Sequence, residues 1–139
     1  MKKCELTESE SLEYATLQDA PEIPMLDVTI TRPDMKESIR TKAVIDTGFD
    51  EAMLLSREVR DELVRRGITP DDYDSLDAGA YELPCEVYSL QVKVSDEWFR
   101  IRSYHPVVGE YETLVGRTLI NKLIICLRGT EKRVVIAKK

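Results

Sequence analysis

The feature that most constrains the fold is an alternation of apolar and polar residues in two neighbouring segments. Apolar or small side chains fall on every second position in both: Leu26, Val28 and Ile30 in the first, and Ile39, Thr41, Ala43 and Ile45 in the second. Successive side chains of a strand point to opposite faces of its sheet, so this pattern predicts two half-buried β-strands. Further short apolar segments follow, separated by turn residues, and together they predict a mainly β, single-domain protein.

One segment breaks this pattern and predicts an α-helix. Ser56 is a favourable N-cap residue, Val59 and Leu63 lie four positions apart on one face, and Gly67 is a typical stop. A second, shorter helix is predicted over residues 116–122 near the C-terminus. These two helices cover a small part of the chain, so the predicted structure is still mainly β.

The later strands include one long segment with an internal change of pattern. Between residues 81 and 94, apolar side chains fall on odd positions up to Val87 and on even positions from Tyr88 onward. Such a shift of phase predicts a β-bulge or a sharp bend near Val87. Segments 123–127 and 133–137 are then predicted to close the chain as a hairpin.

The composition excludes several classes of function. The chain has 139 residues, of which 42% are hydrophobic, and a net charge of −6. A nucleic acid or an anionic membrane would require a basic face, so neither is predicted as a partner. No segment resembles a signal peptide or a transmembrane helix, which predicts a cytoplasmic protein. Residues 1–22 are predicted to be a polar extension that is loosely ordered or forms an edge strand. Residues 23–139 are predicted to form the folded domain.

No metal site or cofactor is predicted. The three cysteines are too far apart for a zinc or redox motif, and a single histidine, His105, rules out any site that needs two from one chain. One acidic cluster lacks the glycine and the distal glutamate of a calcium-binding loop and is interpreted as a solvated loop; it comprises Asp71, Asp72 and Asp74.

The segment with the strongest functional signal is AVIDTGFD, residues 43–50, in which a predicted strand leads directly into Asp46, Thr47 and Gly48. An aspartate followed two positions later by glycine is also common in ordinary turns. The triplet alone therefore leaves two interpretations open, a turn or the edge of an active site. A second signature, Leu114-Val115-Gly116-Arg117, follows further along the chain at the start of the second predicted helix.

Together these segments resemble the retropepsin-like aspartic peptidases, the family of retroviral proteases and their small prokaryotic relatives. The resemblance covers nearly all of the chain from Ile23 to Ile136. Four parts match in order: the run Val44-Ile45-Asp46-Thr47-Gly48-Phe49, the helix after Ser56, the turn Asp77-Ala78-Gly79-Ala80 at the position of the family's flap, and the run Leu114-Val115-Gly116-Arg117. The resemblance implies a closed β-barrel with one well-formed helix after the catalytic loop and a short C-terminal helix.

The resemblance also implies roles for individual residues. Asp46, Thr47 and Gly48 would form the catalytic loop, and Leu114, Val115 and Gly116 would support it from below. Contacts with the substrate are expected from Phe49 and from the flap turn, which consists of Asp77, Ala78, Gly79 and Ala80.

The implied chemistry needs two carboxylates. When two carboxylates share one proton, the ionised one can activate a water for attack on a peptide carbonyl, and the protonated one can donate to the carbonyl oxygen. No metal or cofactor takes part. The chain contains a single Asp-Thr-Gly and no Asp-Ser-Gly. The sequence therefore predicts a homodimeric endopeptidase whose site joins Asp46 of two copies and cleaves extended peptides or unfolded segments.

An alternative from the same fold is a non-catalytic dimerisation or peptide-binding module. The intact Asp-Thr-Gly favours the peptidase. The acidic pair Asp50-Glu51 beside the loop and the single glycine of the flap turn favour the module.

Overall fold

The structure, a computed structural model, describes residues 7–16 and 21–138 and is mainly β within these ranges. This confirms the predicted fold class. The described strands are Glu8–Glu13 (β1), Met25–Thr31 (β2), Ile39–Ile45 (β3), Met53–Leu54 (β4), Asp72–Ala78 (β5), Tyr81–Val94 (β6), Glu97–Pro106 (β7), Leu114–Val115 (β8), Ile124–Arg128 (β9) and Arg133–Ala137 (β10); the helices are Arg57–Arg65 (α1) and Arg117–Ile120 (α2).

Six strands close into a barrel in the order β2-β3-β8-β4-β7-β6. The ring closes because β2 pairs with β6 as well as with β3, in a register that runs from Val28 opposite Val94 to Thr31 opposite Gln91. The closed barrel implied by the family resemblance is therefore confirmed. Strand β5 pairs with β6 alone, so β5 and the first half of β6 form a hairpin outside the ring.

The core of the barrel follows from the alternation in the sequence. Leu26, Val28 and Ile30 of β2 are fully buried, and Leu26 and Ile30 lie opposite Ala43 and Ile39 of β3. Burial of each such aliphatic side chain contributes about 1.5–3 kcal/mol. The alternating pattern therefore determines which face of each strand points inward.

Helix α1 begins and ends as its sequence predicts. The Ser56 hydroxyl accepts a hydrogen bond from the Val59 N–H at 3.3 Å, and Val59 and Leu63 are buried against the barrel. Gly67 follows the helix with a φ of +79°, a conformation that glycine adopts without strain. Among residues 7–16 and 21–138, no helix has both the length and the apolar character needed to cross a lipid bilayer.

Of the bulge or sharp bend predicted near Val87, the bulge is absent. The register of β6 with β5 and with β7 runs through Val87 without a shift. The change of phase has another cause: residues 85–88 are all buried, because this part of β6 packs against the main core on one face and against a smaller cluster with Tyr104 on the other. A strand buried on both faces loses the alternation of apolar and polar residues.

The acidic cluster that begins at Asp71 is not the loop predicted for it. Asp72 and Asp74 belong to strand β5, and both carboxylates accept hydrogen bonds from Arg102, at 3.2 and 3.0 Å. The Tyr73 N–H and the Arg102 guanidinium hold the pKa of Asp72 below its ordinary value. The cluster thus has a structural function, because it ties the β5 edge of the hairpin to strand β7.

A second sheet of three antiparallel strands, in the order β1-β10-β9, lies beside the barrel. Strand β1 falls within the extension predicted for residues 1–22, so part of that extension is an edge strand paired with β10 of its own chain. Residues 1–6 and 17–20 of the extension lie outside the described residues. The domain boundary at residue 23 stays a prediction.

A buried polar group connects α1 to the barrel. Arg60 donates to both carboxylate oxygens of Glu86, at 2.9 and 3.2 Å, and the Tyr88 hydroxyl donates to one of them at 3.2 Å. Burial acts to raise the pKa of Glu86, but the hydrogen bonds from Arg60 and Tyr88 outweigh it, and the net pKa is lowered. His105 lies opposite Glu86 on β7, and its Nδ1 is 2.9 Å from the Leu55 carbonyl oxygen. The only histidine is therefore structural.

We predict that Glu86→Gln lowers the free energy of unfolding at pH 7 by about 1–3 kcal/mol, because Arg60 loses a partly buried charged partner. The pKa of Glu86 is lower in the folded protein than its ordinary value of 4.5. The ionised carboxylate therefore stabilises the folded protein fully at pH values above 4.5. This stabilisation is lost as the pH falls through the pKa of the folded protein. Urea unfolding of wild type and variant at several pH values from 7 to 3 measures the loss of stability and its dependence on pH. The difference between variant and wild type should shrink towards acid pH, while the exposed control Glu37→Gln should follow wild type throughout.

Candidate active site

Asp46 lies immediately after β3, where the chain leaves the sheet and turns. Its N–H donates to the Val115 carbonyl oxygen at 2.9 Å, and its own carbonyl oxygen accepts from the Phe49 N–H at 3.2 Å. These two bonds fix the backbone of a tight loop over residues 46–49. The side chain of Asp46 is half-buried, whereas Thr47 and Gly48 are exposed.

The carboxylate of Asp46 is oriented by its own loop. Its Oδ1 accepts a hydrogen bond from the Gly48 N–H at 2.9 Å. A Cβ on residue 48 would lie only 3.2 Å from this oxygen, a contact that glycine avoids. The Thr47 hydroxyl, in contrast, has no hydrogen-bond partner among the described residues. The loop therefore holds one carboxylate in place and leaves a hydroxyl beside it available.

Strand β8 holds the loop from beneath. It lies between two strands of the barrel, parallel to β3 with Ile45 opposite Val115, and antiparallel to β4 with Met53 opposite Val115. Val115 is fully buried, and Leu114 is half-buried. The structure thus brings together two of the predicted sets of residues, the loop and its support.

Gly116 provides the closest contact between them. A Cβ at this position would lie 2.1 Å from the Glu51 carbonyl oxygen and 2.6 Å from that of Phe49. The Gly116 N–H donates to the Ala52 carbonyl oxygen at 3.0 Å, and the Arg117 N–H donates to that of Phe49 at 2.7 Å. Only glycine allows the two backbones to approach this closely.

The start of α2 adds contacts that the sequence did not predict. The Thr118 hydroxyl and N–H both donate to the Asp50 carbonyl oxygen, at 2.6 and 3.2 Å. The Arg117 guanidinium forms an ion pair with the Asp50 carboxylate. One of the two acids beside the loop therefore has a cation as its partner. The signal for this pair was the arginine directly after Gly116, at the position where a helix begins.

The predicted flap turn lies at the tip of the β5–β6 hairpin. Asp77 and Ala78 end β5, Gly79 has a φ of +66°, and all residues from 77 to 80 are exposed. No hydrogen bond or ion pair joins the described residues 77–80 to residues 46–49. Within one chain, the flap turn and the Asp46 loop are therefore not connected by a polar interaction.

The Asp46 side chain has one polar partner in the described part of the chain. No ion pair involves it, and its only hydrogen bond comes from the Gly48 N–H. In residues 7–16 and 21–138, no group of three or more histidine, cysteine, aspartate or glutamate side chains is arranged to hold a metal ion. The Asp46 loop thus presents a carboxylate that its own backbone orients.

We predict that Gly116→Ala destabilises the protein by at least about 2 kcal/mol, because the new methyl group meets backbone oxygens that have no space to move. Gly129→Ala is a matched control: no atom lies within 4 Å of a Cβ at that turn position. Thermal unfolding of both variants measures the difference. Equal melting temperatures for the two would contradict the proposed role of Gly116.

Comparison with known proteins adds evidence for the fold. No protein-family model matches the chain, and no curated protein sequence matches it. A solved structure does match: a retropepsin-like aspartic protease from Rickettsia conorii, 12% identical in sequence, with a TM-score of 0.61 over 98% of this chain and 96% of that one. At this identity the likeness establishes the fold alone. The chain therefore has a fold similar to that of a retropepsin-like aspartic protease.

Proposed function

We propose that the chain is an aspartic endopeptidase that acts as a homodimer. One observation carries the proposal: a barrel similar to that of an aspartic protease presents an oriented carboxylate, Asp46, on an Asp-Thr-Gly loop that rests on β8 and Gly116. An ordinary turn would need neither the buried support strand nor the close contact at Gly116. These features favour an active site over a turn.

The dimer follows from the number of carboxylates. A single carboxylate is a poor base near neutral pH, whereas two in close contact share one proton and divide the roles of base and acid. The chain carries one Asp-Thr-Gly, so the second carboxylate would come from Asp46 of another copy. A twofold axis beside the loop would place the two side chains face to face.

In such a dimer each residue of the loop has a task. The ionised Asp46 accepts a proton from a water held between the two carboxylates, and this water attacks the peptide carbonyl. The protonated Asp46 donates to the carbonyl oxygen. The exposed Thr47 hydroxyl can bond to the loop of the second copy, and the Gly48 N–H keeps the carboxylate oriented.

Substrate contacts are proposed for Phe49 and for the flap turn of Asp77, Ala78, Gly79 and Ala80. The hairpin that carries this turn is held at its base by Arg102 and lies outside the closed ring of strands. Such a hairpin can change position without disrupting the barrel. We propose that it closes over an extended peptide and excludes water from the site.

A non-catalytic module for dimerisation or peptide binding is the second candidate. The acids Asp50 and Glu51 were one feature that favoured it. Because Arg117 pairs with Asp50, the charge near the loop is smaller than the sequence alone suggests. The single glycine of the flap turn is the remaining feature in its favour.

We predict that Asp46→Asn reduces peptide cleavage by at least about 10³-fold while the dimer is retained, because the amide cannot take part in the proton transfers. Fluorogenic peptide libraries measure cleavage, and sedimentation velocity measures the dimer. Asp34→Asn is a suitable control, since Asp34 lies in the turn before β3, at the opposite end of that strand from Asp46.

Three outcomes separate the candidates. Loss of cleavage in Asp46→Asn alone supports the peptidase. A wild type that binds peptides without cutting them supports the module. A wild type that is monomeric, and that behaves the same with and without the substitution, contradicts both.

A further inference from the structure

The outer surface of the barrel carries a group of cations without acidic partners. Arg40 of β3 and Arg100 of β7 are exposed, and Lys93 of β6 is half-buried. None of these three side chains forms an ion pair with a carboxylate of the described residues. The chain has 26 acidic and 20 basic residues, so a local group of unpaired cations runs against its overall charge.

The pairing of the strands places the three cations on one face. Arg40 lies opposite Thr29 of β2, Thr29 lies opposite Lys93, and Lys93 lies opposite Trp98 of β7. Residues directly opposite each other share a face of the sheet, and so do residues two positions apart on one strand, such as Trp98 and Arg100. We call this surface the cationic face; it consists of Arg40, Lys93, Trp98 and Arg100.

Two clefts follow the cationic face. The first has a volume of about 550 Å³ and is lined by Arg40 and Lys93, among others. The second has a volume of about 470 Å³ and is lined by Arg100 together with polar residues of β6, among them Gln91. The three cations therefore border surface depressions in which a ligand can be held.

The carboxylates that line the same clefts limit the length of an anionic ligand. In the first cleft Asp27 pairs with Lys42 at 2.9 Å, and in the second Asp71 pairs with Arg32 at 3.0 Å. Glu10 of β1 also lines the first cleft. A long polyanion that extended past the three cations would meet these carboxylates. The cationic face therefore favours a short anionic segment over a nucleic acid.

Trp98 gives the cationic face an aromatic surface as well. Its side chain is 52% exposed, and the Lys93 Nζ lies 5.9 Å from the centre of its ring. Tryptophan and arginine are enriched among the residues that contribute most to binding at protein interfaces. A free inorganic anion has no apolar part with which to cover an indole ring. The combination of indole and cations therefore favours a polypeptide as the ligand.

We propose that the cationic face binds an acidic segment of another protein in an extended conformation. From the spacing of strands and residues, Arg40 lies roughly 10 Å from Lys93, and Lys93 lies roughly 8 Å from Arg100. Alternate residues of an extended chain are about 7 Å apart and point to the same side, so acidic side chains at alternate positions can reach successive cations.

Side chains alone would hold this segment. Strands β3, β2, β6 and β7 each pair with a neighbour on both sides, so none of them offers a free edge to the ligand. The cationic face is formed by the outward side chains of these strands and does not include the Asp46 loop. The proposal therefore does not rest on the proposed function.

The fluorescence of Trp98 tests the proposal, because it is the only tryptophan of the chain. The probe is an unlabelled peptide of about ten residues in which glutamate and serine alternate, long enough in extended form to span the cationic face. The full chain carries Asp46→Asn so that the probe is not cleaved. At low ionic strength the Trp98 emission should change and saturate with this peptide, whereas a peptide of alternating glutamine and serine should have no effect.

A pair of matched double variants locates the binding. Arg40→Gln with Arg100→Gln should raise the dissociation constant of the acidic peptide at least about fivefold, because two ion pairs with the ligand are lost. Arg65→Gln with Lys122→Gln removes the same charge from exposed positions on and after the two helices, and should change the dissociation constant less than about twofold. Circular dichroism should show the same fold for both.

The results divide clearly. Weakening confined to the Arg40 and Arg100 variant supports the proposal. Equal weakening in both double variants would overturn it, because attraction would then depend on net charge alone. An acidic peptide that leaves the Trp98 emission unchanged would also overturn it. An oligodeoxythymidylate of similar length that displaces the peptide at equal or lower concentration would show that the ligand is not an acidic polypeptide.

Discussion

The contact between Gly116 and the backbone of residues 49–51 is the interaction on which the candidate site depends. Because residue 116 has no side chain, β8 can lie between β3 and β4 in the barrel. In this position the Val115 carbonyl oxygen accepts a hydrogen bond from the Asp46 N–H. The same contact places the start of α2 on the loop, where Arg117 pairs with Asp50. A larger residue at position 116 would separate the loop from its support and release the carboxylate from its fixed position.

The proposed function requires a second copy of the chain, because each chain carries one Asp-Thr-Gly loop. One half of the proposed site consists of the oriented Asp46 carboxylate and the Thr47 hydroxyl beside it, which has no hydrogen-bond partner among the described residues. The second half of that proposed site would come from Asp46 of another copy, related to the first by a twofold axis beside the loop.

Much of this architecture could be predicted from the sequence, because local patterns determine it. Alternation identified β2 and β3, and Ser56 and Gly67 marked the ends of α1. The errors came where tertiary packing overrides the local pattern. Val87 is buried together with its neighbours on both faces of β6, which imitates the signature of a bulge, and Asp72 is held in a strand by Arg102, a residue distant in sequence. The spatial relation of the turn at residues 77–80 to Asp46 also depends on tertiary structure, because the two segments are distant in sequence and belong to different strands.

The most direct test of a site shared between two copies is a subunit-mixing experiment. Wild-type chain is held at constant concentration, an increasing excess of the Asp46→Asn chain is added, and peptide cleavage is followed after exchange. If each site needs one Asp46 from each copy, mixed dimers are inactive, and cleavage should fall towards zero as the variant captures the wild-type chains. Cleavage that stays constant in the presence of excess variant would show that one chain carries a complete site, and would contradict the account.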